Sequence, residues 1–256
     1  MKVVVTGSEG FIGKALVTSL LMQGCEVVKV DRTIGIEAGE YFMAADLTGV
    51  DAVFHLAAQT SVFNRNKSDI LHDNIETFRV VCDACARSGT RLIYASSSTA
   101  ASGNATSLYG ISKRFDEQYA LCYNINATGV RFHNVYGSNP RQGTLLWHLL
   151  HDERVKLYNN GMNERHFTYL DDIVGGLMFV LQNQNLPPIV NIANPEEWTT
   201  ANFAEIVRKY KPIEYECVSD LRDFDREQQC VESEVLTLPL HYTPLEEGIR
   251  RIFEGD

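Results

Sequence analysis

The sequence predicts an α/β protein: a doubly wound parallel sheet with a small C-terminal lobe. Three observations carry this. Short β-rich apolar runs alternate with amphipathic helical stretches through the first half of the 256-residue chain, the pattern of a parallel sheet covered on both faces. A glycine-spaced segment, Thr6-Gly7-Ser8-Glu9-Gly10-Phe11-Ile12-Gly13, falls between the first run and the first helix. The second half is less regular, as a smaller appended lobe would be, and the length accommodates both parts.

In chain order, Lys2–Thr6 is a strand, Phe11–Met22 a helix with few β-branched residues, and Glu26–Asp31 a strand ending in an acid. Tyr41–Asp46 and Ala52–Ala57 read as further strands, Ile70–Arg87 as a long amphipathic helix, and Arg91–Ser96 as a strand ending in serines. Leu108–Tyr123 is helical and Gly129–Asn134 a strand. Gly143–His151, Asp172–Gln182, Thr200–Lys209 and Pro244–Phe253 are helical, with a strand at Pro188–Ala193. Helix Asp172–Gln182 and strand Pro188–Ala193 return to the first domain. That domain is then 1–137 plus about 170–194, and the lobe about 138–169 plus 195–256.

The formal net charge of −10 argues against a nucleic-acid surface or an anionic membrane as partner. The start lacks a signal-peptide pattern, and no apolar run approaches the ~18–20 residues needed to span a bilayer. A cytoplasmic protein is expected. The six cysteines have no disulfide-framework spacing. Cys82-Asp83-Ala84-Cys85 is formally CxxC, but no second CxxC or histidine pair accompanies it. It reads as two thiols on a buried helix face, and no metal site is expected.

Gly7, Gly10 and Gly13 sit where a dinucleotide loop requires them, between a strand and a helix. The first allows a tight turn, the second lets backbone approach a pyrophosphate, and the third lets helix and strand pack closely. Phe11 and Ile12 open the helix whose N–H groups face the phosphates. This is the loop of a Rossmann-like sheet. Asp31 closes the second strand, where a carboxylate holds the adenosine ribose and disfavours a 2′-phosphate, so NAD is expected over NADP. The adjacent Arg32 softens that preference. Asp46 and Leu47 end the third strand as candidates for the adenine edge, with a turn acid as the alternative for Asp46.

Tyr109 and Lys113 lie four apart on one predicted helix face, so their side chains can converge. A tyrosine becomes a base near neutrality only if its pKa falls by about 3 units, roughly 4 kcal/mol of differential stabilisation. An ammonium and a positive nicotinamide ring would together provide it. Ser96-Ser97-Ser98 closes a parallel strand at its carboxyl end, where open α/β sheets bind ligands. A hydroxyl there can hydrogen-bond the reacting oxygen and relay a proton.

With glycine loop, serine cluster and Tyr-Lys pair in this order, the chain resembles the extended short-chain dehydrogenase/reductase superfamily. It looks closest to NAD-dependent nucleotide-sugar epimerases and dehydratases of the UDP-glucose 4-epimerase type. The resemblance implies Ser98, Tyr109 and Lys113 as catalytic residues, with Ser96 beside the cofactor. His55-Leu56-Ala57-Ala58 is similar to a segment bordering the cofactor, and Asn74 matches an asparagine of the following helix. Arg131-Phe132-His133-Asn134-Val135-Tyr136-Gly137 resembles the R-x-x-N-x-Y-G segment, which places Phe132 near the nicotinamide and Asn134 at the substrate diphosphate. Arg165 heads a segment resembling R-D-F-x-x-V-D-D, whose arginine holds a nucleotide phosphate. Arg222-Asp223-Phe224-Asp225 is a weaker match to a late segment with a second such arginine, and Gln229 then aligns with a position that helps set sugar size.

The departures narrow the reaction. Thr99-Ala100 follows Ser98 where 4,6-dehydratases carry an Asp-Glu pair, and the glutamate of the decarboxylases is missing too. The resemblance therefore favours C4 epimerisation of a nucleotide-diphosphate sugar. A 4-ketoreductase consuming external NAD(P)H and a non-catalytic dinucleotide-binding protein are the alternatives. Residues 46–51 form a bare turn where relatives have a helix, which predicts a shallower sheet face, and the loop from Ser98 to Tyr109 is compressed. Trp147 and Leu145-Leu146 read as lobe core or nucleotide-pocket lining. Helices Ile70–Arg87 and Leu108–Tyr123 resemble the family's four-helix dimer contact, so a homodimer is expected. Phe78, Val81, Cys82 and Cys85 follow helical spacing there, which a single core face explains equally well.

Overall fold

The computed structural model describes residues 1–64, 66–101, 107–123, 125–222 and 231–255. Its first half contains β1 (Lys2–Thr6), α1 (Phe11–Met22), β2 (Glu26–Val30), α2 (Ala38–Ala44), β3 (Ala52–His55) and α3 (Lys67–Asp69). A π-helical stretch, Ile70–Glu76, leads into α4 (Thr77–Ser88), then β4 (Arg91–Ser97), α5 (Leu108–Tyr123) and β5 (Ala127–Phe132). The second half holds β6 (Val135–Tyr136), α6 (Leu145–His151), β7 (Val155–Leu157), β8 (Glu164–Arg165), β9 (Thr168–Tyr169) and α7 (Leu170–Gln182). It ends with β10 (Ile189–Ile192), β11 (Trp198–Thr199), α8 (Thr200–Arg208), β12 (Tyr215–Cys217) and α9 (Leu245–Glu254).

Six strands form one sheet in the order β10-β5-β4-β3-β1-β2, every pair parallel. The chain reverses its progress across the sheet between β1 and β3. That switch point opens a crevice beyond the strands' carboxyl ends, where α/β proteins bind ligands.

One expected strand is a helix. Tyr41–Asp46 reads as β, yet Phe42 lies in α2 and Asp46 in the loop after it. Ala38 and Phe42, four apart, bury on one face against Val4, Val53 and Phe78, and no β-branched residue opposes the helix. Asp46 and Leu47 therefore end no strand, and β2 is the sheet edge. The face expected to be shallow is covered by α2 packed on α4.

Alternation along β1 sends Val3 and Val5 to one face and Val4 to the other. The first face packs against Leu16, Leu20, Ile173 and Leu177 of α1 and α7. The second packs against Phe78, Val81, Cys82 and Cys85 of α4, so the helical spacing of those four is a core face within this chain. Burial pushes the Cys85 thiol up to about 12 and the Cys82 thiol higher still, leaving both uncharged. A third cluster beyond the sheet joins Tyr136, Leu146, Leu149, Phe167, Phe203 and Ile249. Leu238 returns to the first cluster, its N–H donating to the Asn191 carbonyl of β10 at 3.0 Å.

Candidate active site

The glycine loop is shaped by contacts that leave no room for side chains. Gly7 has φ +65°, and a Cβ on it would lie 2.8 Å from the Ala57 nitrogen. A Cβ on Gly13 would lie 1.9 Å from the Gly7 carbonyl oxygen. Gly10 caps α1 with no side-chain hydrogen bond, so the helix presents bare N–H groups to whatever lies beyond it. Thr6 joins the loop to its neighbour: its Oγ1 accepts the Leu56 and Ala57 N–H groups at 3.1 and 3.2 Å and contacts His55 Nδ1 at 2.9 Å.

Asp31 Oδ2 accepts the Glu9 N–H at 3.0 Å, and Oδ1 accepts from the Thr33 N–H and hydroxyl at 2.9 and 2.8 Å. Partial burial opposes its ionisation, but those hydrogen bonds and neighbouring Arg32 outweigh it and hold the carboxyl below its ordinary range. The Arg32 guanidinium is engaged by Asp73 at 3.0 Å and Glu37 at 3.5 Å. Two acids thus counter the cation that would attract a 2′-phosphate, and the Asp31 environment fits NAD.

The serines at the end of β4 and just past it divide their tasks. Ser96 donates to Glu117 Oε1 at 2.6 Å, within a buried network in which Glu117 also accepts from Arg131 Nε and Nη2 at 2.7 and 2.8 Å. Ser97 caps the turn that follows, its Oγ accepting the Thr99 N–H at 3.2 Å and the Thr99 hydroxyl at 2.9 Å. Ser98 is buried and lines the same cavity as Tyr109 and Lys113. Lys113 Nζ meets Asp116 Oδ2 at 3.1 Å. His55, across from it, is pushed down to about 3 by burial and by the Lys113 charge, so it is neutral.

One cavity of about 1050 Å³ collects most of the predicted residues. Gly7, Gly10, Phe11, Ile12, Gly13, Asp31, Arg32, Leu56, Ala57, Ala58, Ser96 and Phe132 line it with Ser98, Tyr109 and Lys113. Asn134, Arg165 and Arg222 line its other side. Asn134 sits just past β5 with φ +31°, a backbone state asparagine tolerates better than most residues. The Arg222 guanidinium lies 4.7 Å from the Phe63 ring centroid and 4.8 Å from that of Tyr158. Asp223, Phe224, Asp225, Gln229 and Cys230 lie outside the described residues.

Three predicted cofactor residues are not in the cavity. Leu47 is buried in the core behind α2, and the exposed Asp46 carboxylate accepts from the Thr48 N–H and hydroxyl of its own turn. Asn74 acts one layer back: its Oδ1 accepts the Gln59 N–H at 2.7 Å, and its Nδ2 donates to the Gln59 carbonyl and to Ser112 Oγ. It fastens the loop after β3 to the helix that carries Tyr109. Leu145 and Leu146 line the cavity and also belong to the lobe core, while Trp147 stacks on His151 at 4.6 Å.

Sequence reasoning missed several lining cations. Arg141 Nη1 donates to Thr60 Oγ1 at 2.8 Å, closing the rim between the two halves. Arg154 and Lys156 flank Val155 on β7 and share Glu216 at 3.2 and 3.9 Å. The alternation Arg154-Val155-Lys156-Leu157 was the available signal: period 2 marks a short strand, on which Val155 and Leu157 are buried in the lobe core and the two cations are exposed, all four bordering the cavity.

The sequence profile of the NAD dependent epimerase/dehydratase family matches residues 3–193. Protein CapI of Staphylococcus aureus is 29% identical over 253 residues, covering 79% of this chain and 73% of that protein. UDP-glucuronic acid decarboxylase 1 of Danio rerio is 27% identical over 251 residues; 81% of this chain is covered, but the match spans only 60% of the decarboxylase. Among solved structures, MoeE5 in complex with UDP-glucuronic acid and NAD superposes with a TM-score of 0.84 at 26% identity, covering 100% of this chain and 98% of that one.

Proposed function

The chain belongs to the NAD dependent epimerase/dehydratase family, and from that premise we propose that it inverts C4 of a nucleotide-sugar through a transient 4-keto intermediate. One observation carries this reading. Ser98, Tyr109 and Lys113 share a cavity with the glycine loop, while residues 97–108 contain no aspartate or glutamate. Reversible oxidation needs only the hydroxyl, the phenol and the ammonium. Elimination needs a further acid or base beside the sugar, which this stretch does not supply.

When bound, NAD supplies the hydride acceptor and donor. Glycines 7, 10 and 13 and the uncapped start of α1 would hold its pyrophosphate, and Asp31 its ribose hydroxyls. Tyr109, as phenolate, takes the C4 hydroxyl proton while the C4–H bond breaks and the carbonyl forms. Ser98 donates a hydrogen bond to that oxygen. Asn134, Arg165 and Arg222 grip the nucleotide diphosphate, so the ketone can turn about its tether. Tyr109 then returns the proton to the oxygen after C4 is reduced on its opposite face.

In this account residues 1–137 and about 170–194 carry cofactor and chemistry, and the remainder grips the nucleotide. Among the described residues no helix is long and apolar enough to cross a membrane. The cytoplasmic placement is part of the proposal and is checked by cell fractionation. So is a homodimer through α5, whose Ile111, Phe115, Leu121 and Tyr123 are exposed; sedimentation as a monomer would remove it.

The test is a screen of UDP- and other nucleotide-sugars with product epimers resolved by chromatography, run on the wild-type chain and on Tyr109→Phe. Wild type should interconvert one pair with no net change in nicotinamide absorbance, and the variant should lose at least about 100-fold, the usual size of a general acid–base contribution. Steady consumption of NADH or NADPH would instead indicate a ketoreductase. Near wild-type turnover by Tyr109→Phe would refute the base assignment.

A further inference from the structure

Tyr109, Lys113 and Asp116 occupy positions i, i+4 and i+7 of α5 and so share one helix face, with the lysine in the middle. Tyr109 and Lys113 line the cavity, and Asp116 does not. Asp116 is fully buried and Lys113 is 2% exposed, with Nζ and Oδ2 3.1 Å apart. The second carboxylate oxygen, Oδ1, has no hydrogen-bond partner among the described residues. A half-satisfied buried carboxylate is an expensive way to fill a helix position, and an aliphatic side chain would be cheaper. Stability therefore does not account for it, and its one side-chain hydrogen bond among the described residues is with the ammonium that is to act on the phenol.

We propose that Asp116 is a positioning residue for the proton-transfer base: it holds the Lys113 ammonium one turn beyond Tyr109 and sets how much of that charge reaches the phenol. The inference rests on Tyr109 being the base, as proposed above. The surroundings leave Asp116 as the opposite charge that meets Lys113. His55 of β3 faces the lysine and is neutral. Cys82 of α4 and Tyr94 of β4 feel the Asp116 charge, and burial raises both well above their ordinary range, so they are uncharged too. Glu117, the next residue, is committed to Arg131. Burial pushes the Asp116 carboxyl up to about 7, against the pull of Lys113 and with the push of Glu117. The proton on Asp116 and the charge felt by Tyr109 are thus linked: when Asp116 ionises, the ammonium is neutralised from behind.

The experiment is an ultraviolet titration of phenolate absorbance in the cofactor-free chain, with the Tyr109→Phe titration subtracted to isolate one tyrosine. Seven residues of helix place Asp116 about 10 Å from Tyr109. At the effective dielectric of such sites, removing one charge there moves the midpoint by about one pH unit, tenfold in proton concentration. Asp116→Asn should lower the Tyr109 midpoint by that amount. Asp116→Leu, which removes the charge and fills the apolar site, should do the same and keeps the test open if the asparagine variant folds poorly. The acid limb of any pH–rate profile should move in the same direction. An unmoved or raised midpoint in either folded variant would overturn the proposal. The titration needs no substrate, so loss of the epimerase reading would leave this result intact, and the reverse also holds.

Discussion

Replacing Glu117 with alanine should weaken the packing of α5, the helix that carries Tyr109 and Lys113, against the sheet. The carboxylate accepts three hydrogen bonds, from Ser96 at 2.6 Å and from Arg131 at 2.7 and 2.8 Å. Its side chain is 2% exposed and that of Arg131 is 6% exposed. Removing one partner of such a pair strands the other as a buried uncompensated charge, at a cost of about 3–5 kcal/mol. Arg131 keeps Glu232 at 2.6 Å, which places the expected loss near 3 kcal/mol, the lower end of that range. At about 2–4 °C per kcal/mol for a chain of this size, Tm should fall by about 6–12 °C. Urea unfolding gives the free energy and thermal scans the Tm. A double-mutant cycle with Arg131→Met isolates the pair: once the arginine is gone, Glu117→Ala should cost markedly less. A loss below about 1 kcal/mol, the level of an exposed pair, or strict additivity in the cycle, would refute the reasoning.

Other outcomes follow from the same geometry. Gly13→Ala places a Cβ against the Gly7 carbonyl, so the loop must open, and retained NAD in the purified protein, read by native mass spectrometry, should be lost; full retention would contradict the packing. Arg222→Ala should weaken nucleotide-sugar binding by about 10-fold or more, the value of one charge-assisted hydrogen bond, with NAD retention unchanged; equal loss of both ligands in calorimetry would count against its role. His55 and His133 are held neutral by burial, their values pushed down to about 3 and about 4. Between pH 6.5 and 4 the unfolded chain binds protons these sites refuse, so each removes about 1.4 kcal/mol of stability per unit as pH falls. Asp116, raised to about 7, binds its proton in the folded state over most of that window and offsets one of them. Urea midpoints should still be lower at pH 5 than at pH 7, and equal midpoints would contradict this.

What was legible in the sequence was what short-range chemistry dictates. The glycine loop and α5 are set by local spacing, and both stand where the residues place them. Tyr41–Asp46 is not a strand because Ala38 and Phe42, four apart, bury on one helix face, a pairing that only the folded sheet makes decisive. The family resemblance makes Asn74 a cofactor residue, whereas its partners in the structure, Gln59 and Ser112, become neighbours only after folding. The same applies to Arg222 between Phe63 and Tyr158, and to Arg141 on Thr60, each a contact between segments far apart in sequence. A buried aspartate beside Lys113 is visible as letters. Its burial, and hence its effect, is not.

The most direct measurement follows the hydrogen on C4. A nucleotide-sugar deuterated at C4 is incubated with the holoprotein in ordinary water, and both epimers are analysed by nuclear magnetic resonance. The account predicts inversion at C4 with deuterium retained there in product and recovered substrate, since the hydride leaves and returns without meeting solvent. Loss of deuterium to water, or turnover with the C4 configuration unchanged, would contradict it.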